Sequence, residues 1–255
     1  LFQLIVEEYF NIRYEFDKTE VHNAIAHQIA SGRADYICVA DGVILNTVNR
    51  NEAYKKVVND GMFSICDSSY VPLYLRLIYG KKYEQYCGSD IFQDIISEKK
   101  YRMAFLGTNQ CTLDALQQNL IKMNPAVKQM TFYELPFCKV EEFDYASIGA
   151  MLNNDGADIV WIALGAPKQE IFMSLLKPHL NRGVLIAVGA AFNFFSGINA
   201  RRAPKWMLRH HLEFVYRIFC EPRKQIRRCA MILATLPSLL YHEWKKKRGK
   251  GNKTV

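Results

Sequence analysis

The chain has 255 residues, of which 50% are hydrophobic and 23% are charged. This composition supplies enough apolar surface for a buried core and excludes an intrinsically disordered chain. No apolar run approaches the roughly 18 residues of a membrane-spanning helix. The seven cysteines form neither a C-x-x-C motif nor a cluster with histidine, which argues against a structural zinc site and indicates reduced thiols in the cytosol.

The net charge of +8 is concentrated in the C-terminal segment. Residues 201–255 include 15 Lys and Arg against 3 acidic residues, which gives +12, whereas the first 200 residues carry a net charge of −4. A basic segment of this kind predicts an anionic partner: nucleic acid, anionic lipid or a phosphorylated substrate.

Short apolar runs alternate with helical patterns along the first 200 residues. Strands are predicted at residues 36–40, 62–66, 102–106, 129–133, 158–164 and 183–188. Helices are predicted at residues 52–59, 112–123, 145–152 and 168–176, with another opening at Asp67. Because strands that are apolar throughout are buried on both faces, the pattern predicts an α/β fold: a Rossmann-like parallel sheet with helices on both faces. Ligands in such folds bind beyond the carboxyl ends of the strands.

The chain beyond residue 200 has a different character. Two amphipathic helices are predicted there, at residues 205–220 and 223–236, so we divide the chain into an α/β domain (1–200), a basic appendage (201–244) and a basic flexible tail (245–255). Arg223 and Arg227 lie four residues apart, as do Lys224 and Arg228, and equal charges repel at this spacing. The cluster is therefore expected to meet an anion. Its helix, about 21 Å long, is too short to cross a bilayer but long enough to lie on an anionic one.

Several signatures of phosphate binding and catalysis are absent from the sequence. No G-x-G-x-x-G, P-loop or G-x-S-x-G motif occurs. No two Asp residues lie two positions apart, so the chain lacks the D-x-D pair that holds a divalent metal beneath a nucleotide sugar. If a diphosphate leaves in this protein, arginines rather than a metal are expected to stabilise its charge.

Six short motifs follow one another along the chain: CGSD (87–90), GAPKQE (165–170), VGAAFNFFSG (188–197), RRAPKWM (201–207), LEFVYR (212–217) and EPRKQIRR (221–228). In this combination the sequence closely resembles the WecG/TagA/CpsF glycosyltransferase family. The resemblance implies a metal-independent, inverting transfer without a cofactor, from a UDP-sugar such as UDP-N-acetylmannosamine to a sugar on a polyprenyl diphosphate, in surface polysaccharide synthesis. It also implies a cytoplasmic protein, peripheral on the inner face of the cytoplasmic membrane, whose basic appendage completes the site, often as a homo-oligomer.

The resemblance assigns roles to individual residues. Asp67 falls at the family's catalytic aspartate, although the family's Asp-Gly is Asp67-Ser68 here. Val39 and Asp41 stand at the positions of a Thr-x-Asn, and Gln85 stands where an arginine is common. The substrate-binding residues implied by the match are Gln85, Gln169, Glu170, Asn193, Arg202, Arg217, Arg223, Arg227 and Arg228. The departures in the N-terminal half mark a divergent member.

The residue patterns by themselves leave structural alternatives open. Asp67 is placed to cap the following helix, and Asp41, in an Asp-Gly turn, is either structural or the reserve candidate for the catalytic base. Glu170 suits the positive end of a helix dipole, whereas Gln169 has no capping role and is interpreted as a ligand contact. Arg217 fits a ladder of ion pairs at a spacing of four residues.

These observations predict an enzyme in which Asp67 is the general base and the appendage arginines neutralise the departing UDP. The alternative is a non-catalytic module that binds a UDP-sugar, since the N-terminal motifs are altered. A nucleic-acid binder is a third alternative, prompted by the basic tail but unsupported by any recognition motif, so nucleic acid is not expected as a partner. The expected partners are the UDP-sugar, the lipid-linked acceptor and an anionic membrane surface.

Overall fold

The computed structural model describes residues 6–198, 204, 206–207, 213–220 and 222–251. Within these residues one sheet has the strand order β1-β2-β4-β3-β8-β7-β5-β6. Its strands are β1 (Glu7–Tyr9), β2 (Ile12–Tyr14), β3 (Ala34–Ala40), β4 (Phe63–Cys66), β5 (Met103–Gly107), β6 (Thr131–Tyr133), β7 (Ile159–Ala163) and β8 (Gly183–Ala187). Only the β1–β2 pair is antiparallel among the described strands, so the predicted parallel sheet is confirmed apart from this hairpin.

Helices surround the sheet. In the first half of the chain the helices are α1 (Lys18–Ala30), α2 (Gly42–Val48), α3 (Glu52–Asn59), α4 (Val71–Tyr79), α5 (Gly88–Glu98) and α6 (Gln110–Met123). In the second half the described helices are α7 (Tyr145–Asp155), α8 (Lys168–Leu176), α9 (Ala191–Ser196), α10 (Glu213–Cys220) and α11 (Pro222–Gly251).

The core has two layers because each central strand is buried on both faces. In β3, Tyr36 and Cys38 belong to one buried cluster, whereas Ile37 and Val39 belong to the other. Successive side chains of a strand point to opposite faces, so this split confirms the prediction of helices on both faces of the sheet.

The N-terminal hairpin was not predicted from the sequence. Its strands are only three residues long, and its turn is made by Phe10 and Asn11, which both have positive φ angles (50° and 62°). A turn with no glycine or proline carries little sequence signal. Strands as short as these also have no clear alternation of apolar and polar residues.

The C-terminal helix α11 is longer than the sequence pattern indicated. It runs from Pro222 to Gly251, which at 1.5 Å per residue is about 45 Å. The segment predicted as a flexible tail from residue 245 is therefore helical as far as Gly251. Buried Glu243 connects the helix with the α/β domain by accepting hydrogen bonds from the Phe10 backbone N–H (2.8 Å) and the Tyr79 hydroxyl (2.6 Å).

No helix within the described ranges is long and apolar enough to cross a membrane.

Candidate functional site

A large cleft lies where the fold predicts a ligand site. It has a volume of about 1030 Å³ and is lined by residues that follow β3, β4, β7 and β8 and by one side of α11. The carboxyl ends of parallel strands meet at one edge of the sheet, and loops there form the usual ligand crevice of open α/β folds. The volume is at the upper end of the range of small-molecule sites, which leaves room for two substrates.

Asp67 lines this cleft directly after β4. The helix that follows it begins only at Val71 and has no side-chain cap, so the alternative that Asp67 caps this helix is wrong. Its Oδ1 instead accepts a hydrogen bond from the backbone N–H of Gly88 (2.9 Å), the first residue of α5. Gln85 Nε2 donates to the Asp67 backbone oxygen (2.7 Å). The structure thus holds a half-buried carboxylate at the cleft wall, fixed from both its side chain and its backbone.

Asp41 also lines the cleft, but its geometry is that of a helix cap. Its Oδ1 accepts hydrogen bonds from the backbone N–H groups of Val43 (2.9 Å) and Ile44 (3.0 Å) at the start of α2. Its Oδ2 lies 3.6 Å from Arg228 Nη2 of α11. Asp41 is therefore occupied on both sides, which favours the structural alternative over its use as the base.

The predicted residues Gln85 and Asn193 both line the cleft, and both are half-buried. Gln85 donates to the Asp67 backbone oxygen, as described above. In this chain, the position at which the family often has an arginine therefore stabilises the loop after β4. Asn193 lies in the short helix α9, which follows β8. Gln85 and Asn193 thus approach the cleft from the sides of β4 and β8, the two strands that flank β3 in the sheet.

Gln169 and Glu170 are adjacent in sequence but differ in their access to the cleft. Gln169 lines it, whereas the side chain of Glu170 is fully buried beneath it. Glu170 Oε1 accepts from Gln169 Nε2 (2.8 Å), and its Oε2 accepts from the Tyr54 hydroxyl (2.9 Å). Glu170, predicted as a substrate-binding residue, therefore does not line the cleft, and its carboxylate contacts Gln169 and Tyr54. Burial is the main cause that raises the pKa of Glu170 to about 7.

Arginines of α11 form a second part of the site. A separate opening of about 490 Å³ is lined by Arg223, Arg227 and Arg228, together with Val43 and Ala166. Arg228 lines the large cleft as well, which joins the two spaces. Arginine side chains bind phosphate oxygens through paired N–H groups, so this arrangement can hold a diphosphate. Two other predicted arginines are not placed: Arg202 lies outside the described residues, and the side chain of Arg217 is not described.

The sequence did not indicate how α11 closes the cleft. Asn46 of α2 donates hydrogen bonds to Thr235 Oγ1 and to the Met231 backbone oxygen (3.4 Å). A Cβ atom on Gly42 would lie only 2.7 Å from Ile232 Cδ1, so glycine permits the close approach of the two helices. Buried Tyr54 was also missed. These contacts join residues more than 100 positions apart, and a local pattern does not report them.

The described residues contain no group of three or more His, Cys, Asp or Glu side chains that could hold a metal ion. Among the described residues, the charged groups that line the cleft and the adjoining opening are the carboxylates of Asp41 and Asp67, Lys168 and the α11 arginines. Chemically, the arrangement combines a fixed carboxylate acceptor of protons with donors suited to phosphate.

Comparison with known proteins agrees with the motifs. Residues 9–253 match the Glycosyl transferase WecG/TagA/CpsF family. A relative from Bacillus spizizenii, named N-acetylglucosaminyldiphosphoundecaprenol N-acetyl-beta-D-mannosaminyltransferase, is 25% identical over 90% of this chain and 89% of its own length. A relative of the same name from Bacillus subtilis is 26% identical over 73% of this chain and 75% of its own length. The resemblance drawn from the sequence is confirmed.

Proposed function

The chain belongs to the WecG/TagA/CpsF glycosyltransferase family and is a hexosyltransferase, and from this premise we propose its substrates and mechanism. The donor is a UDP-linked N-acetylhexosamine, of which N-acetylmannosamine is the first candidate. The acceptor is a sugar carried on a polyprenyl diphosphate. The transfer inverts the anomeric centre and requires neither a metal ion nor an organic cofactor.

The names of the two Bacillus relatives support the acceptor and the stereochemistry. By their names, both relatives act on N-acetylglucosaminyldiphosphoundecaprenol and are N-acetyl-β-D-mannosaminyltransferases. A β-linked product formed from an α-linked nucleotide sugar requires inversion, which takes place by direct attack from the face opposite the leaving group. Such a displacement needs one base for the acceptor hydroxyl and one means of stabilising the leaving diphosphate.

The observation that carries the proposal is the presence of both functions around one cleft. Asp67 is the base: its carboxylate accepts the proton as the acceptor oxygen attacks the anomeric carbon. Arg223, Arg227 and Arg228 neutralise the negative charge that develops on the departing UDP. The hydrogen bond from Gly88 to Asp67 Oδ1 (2.9 Å) fixes the carboxylate before the substrate arrives.

Replacement of Asp67 by Asn tests the role of the base directly. Loss of a general base lowers the rate of transfer by about 100-fold or more, while the affinity for UDP is retained because the amide keeps the shape of the carboxylate. Transfer is measured as UDP release with and without a short-chain lipid-diphosphate acceptor. The matched control is Asp60→Asn, at the exposed end of α3, which leaves the rate unchanged.

An Asp67→Asn variant that transfers sugar as fast as the wild type would move the base elsewhere. If UDP binds to the wild type but no acceptor-dependent release occurs with any sugar nucleotide, the non-catalytic alternative is correct for this chain despite its family.

We further propose that the protein lies on the inner face of the cytoplasmic membrane. Exposed apolar side chains recur along one side of α11 at Ile226, Leu233, Tyr241 and Trp244, a spacing of seven, eight and three residues that keeps them on one stripe. The basic residues Lys245 and Arg248 continue this helix. An apolar stripe with a basic end is the pattern of a helix that lies in an anionic interface.

A further inference from the structure

The strongest unassigned feature is the buried carboxylate of Glu170. Its side chain has no exposed surface, yet it lies in the first turn of α8 directly beneath the cleft. Burial of a charge is costly unless hydrogen bonds compensate it, and two are present, from Gln169 and Tyr54. The mechanism proposed above gives this carboxylate no role.

Gln169 connects the buried Glu170 with the cleft, because it lines the cleft and donates a hydrogen bond to the Glu170 carboxylate. The Gln169 amide oxygen accepts from the backbone N–H of Gly165 (3.0 Å), and its nitrogen donates to Glu170 (2.8 Å). Because a backbone N–H can only donate and a carboxylate can only accept, the orientation of the amide is specified at both ends. A Cβ atom on Gly189 would lie 3.5 Å from Gln169 Oε1, so the amide packs against the loop that follows β8.

A primary amide has two hydrogens on its nitrogen, and Glu170 takes one of them. Within the described part of the chain, no acceptor was found for the second hydrogen of Gln169 Nε2. Since Gln169 lines the cleft, this hydrogen is available to an oxygen of a bound ligand. The direction of this hydrogen is set by the Glu170 carboxylate, which holds the other hydrogen of the same amide nitrogen.

We propose that Glu170 and Tyr54 are positioning residues: in ionised form Glu170 orients the Gln169 amide toward the sugar nucleotide, so that donor affinity follows the protonation of Glu170. This inference rests on the proposed donor class. Gln169 contacts the donor, and Glu170 and Tyr54 act through it.

Protonation changes what the carboxyl group can accept. An ionised Glu170 accepts from both Gln169 and Tyr54, whereas a neutral acid carries a hydroxyl that is itself a donor. One of the two bonds must then be lost or rearranged, and the bond to Gln169 loses its charge assistance. The amide is held less firmly as a result.

The titration falls in an accessible pH range. Burial raises the pKa of Glu170 to about 7, the hydrogen bonds from Gln169 and Tyr54 lower it, and the nearby carboxylate of Asp41 raises it. The other titratable groups that face it are Tyr54 on α3 and Cys38 on β3, whose pKa values are both raised by burial. Both of these groups stay neutral at pH 7, so Glu170 accounts for a titration at that pH.

The experiment measures the dissociation constants of UDP and UDP-N-acetylglucosamine by calorimetry from about pH 6 to about pH 8. If the ionised form is required, affinity of the wild type falls about tenfold over this range as the pH is lowered through a pKa near 7. Glu170→Gln keeps an acceptor for Gln169, presents Tyr54 with a donor in place of an acceptor, and does not titrate. The ratio of the two proteins' dissociation constants at each pH removes the titration of the nucleotide's own phosphate.

A second variant separates positioning from mere structural support. The hydrogen bond from Tyr54 favours the ionised carboxylate, so Tyr54→Phe shifts the midpoint of the pH profile to a higher value. The matched control is Tyr36→Phe, which removes another buried hydroxyl, one that donates to the Val57 backbone oxygen, and leaves the midpoint unchanged. Thermal unfolding confirms that each variant is folded.

The outcomes distinguish this inference from the proposed function. If neither nucleotide binds the wild type at any pH, the proposed donor class fails, and the inference fails with it. If both bind, but Glu170→Gln has the same pH profile as the wild type, the inference is overturned while the donor class stands. An unchanged midpoint in Tyr54→Phe overturns the role given to Tyr54.

Discussion

The carboxylate of Glu170 illustrates a residue whose position reduces stability. Its pKa rises from 4.5 to about 7 on folding because it is buried, so the folded state holds this proton more tightly than the unfolded chain does. A glutamine at the same place would avoid the buried charge but could accept only one of the two hydrogen bonds, from Gln169 or from Tyr54. The presence of the acid is therefore better explained by the Gln169 amide that it holds than by packing.

This shift predicts a pH dependence of stability with a definite sign. For an acid whose pKa is raised in the folded state, the contribution to stability is largest below about pH 4.5 and is lost as the pH rises through about 7. Relative to the wild type, Glu170→Gln should therefore gain free energy of unfolding across this window, by roughly 3 kcal/mol in total. Urea unfolding at about pH 5 and about pH 8 measures the difference.

The control for this prediction is Glu52→Gln, an exposed residue of α3 paired with Lys55, which should leave the pH dependence of unfolding unchanged. Parallel pH dependences for Glu170→Gln and the wild type would show that the Glu170 carboxyl titrates alike in the folded and unfolded chain.

At the scale of single residues, the sequence predicted which residues line the cleft better than it predicted the contacts that they make. Asp67 and Gln169 line the cleft as expected. Glu170 does not, because the first turn of α8 directs it into the core, and its partner Tyr54 comes from a helix 116 residues earlier. Residue type and local spacing report which groups suit the chemistry, but burial depends on elements that are distant in sequence.

At the scale of elements, α11 is the part of the structure that the sequence described least well. Its basic and apolar spacing indicated a helix of about half the length. The extension to Gly251 depends on tertiary contacts: Glu243 reaches Phe10 and Tyr79, Lys246 pairs with Glu8, and Lys247 donates to the Ile78 backbone oxygen. Runs of lysine do not predict such a helix, because these contacts involve the N-terminal hairpin and α4.

The contact of Glu243 with the hairpin predicts its contribution to stability. Glu243→Ala leaves the buried Phe10 backbone N–H without its acceptor and removes the partner of Tyr79. The expected loss is roughly 2–4 kcal/mol of unfolding free energy, measured by chemical denaturation. The control is Glu8→Gln, which removes the more exposed ion pair with Lys246 and should cost less than about 1 kcal/mol.

Equal stability of the Glu243→Ala variant and the wild type would mean that α11 does not depend on this buried contact in solution. The helix would then be attached mainly through α2, where Asn46 contacts Thr235 and Met231.

At the scale of the whole molecule, the long helix α11 presents two different sides. One side of α11 covers the cleft through Arg228, Cys229 and Ile232, and the adjoining side exposes the apolar stripe described above, with Leu233 at the border of the two. The proposed catalytic cleft, next to the proposed membrane-facing side of α11, would suit an acceptor whose polyprenyl chain stays in the bilayer while its sugar reaches Asp67. The whole-chain fold class was predictable because apolar strands alternating with helices have few stable arrangements.

Flotation with anionic liposomes tests the proposed binding of α11 to a membrane. Each basic residue near an anionic surface contributes about 1 kcal/mol, so Lys245→Gln combined with Arg248→Gln should weaken binding roughly 30-fold, and added salt should weaken it further. The matched control is Lys100→Gln combined with Lys122→Gln, which makes the same change in net charge on exposed residues of the α/β domain.

If both double variants float like the wild type, the C-terminal end of α11 does not bind the membrane. A wild type that does not float, and whose mass in solution rises with concentration, would instead place a second copy of the chain against the apolar stripe. Retention on nucleic acid with a steep salt dependence would support the remaining alternative for the basic segment.

The central claim is that guanidinium groups of α11 stabilise the leaving diphosphate in place of a metal ion. The most direct measurement is the rate of transfer from UDP-N-acetylmannosamine to a short-chain polyprenyl-diphosphate-linked N-acetylglucosamine in the presence of EDTA, for the wild type and for Arg227→Gln. If the arginines take this role, EDTA leaves the wild-type rate unchanged and Arg227→Gln is slower by about tenfold or more. A wild type that is inactive in EDTA and recovers with magnesium, or an Arg227→Gln variant as fast as the wild type, would contradict it.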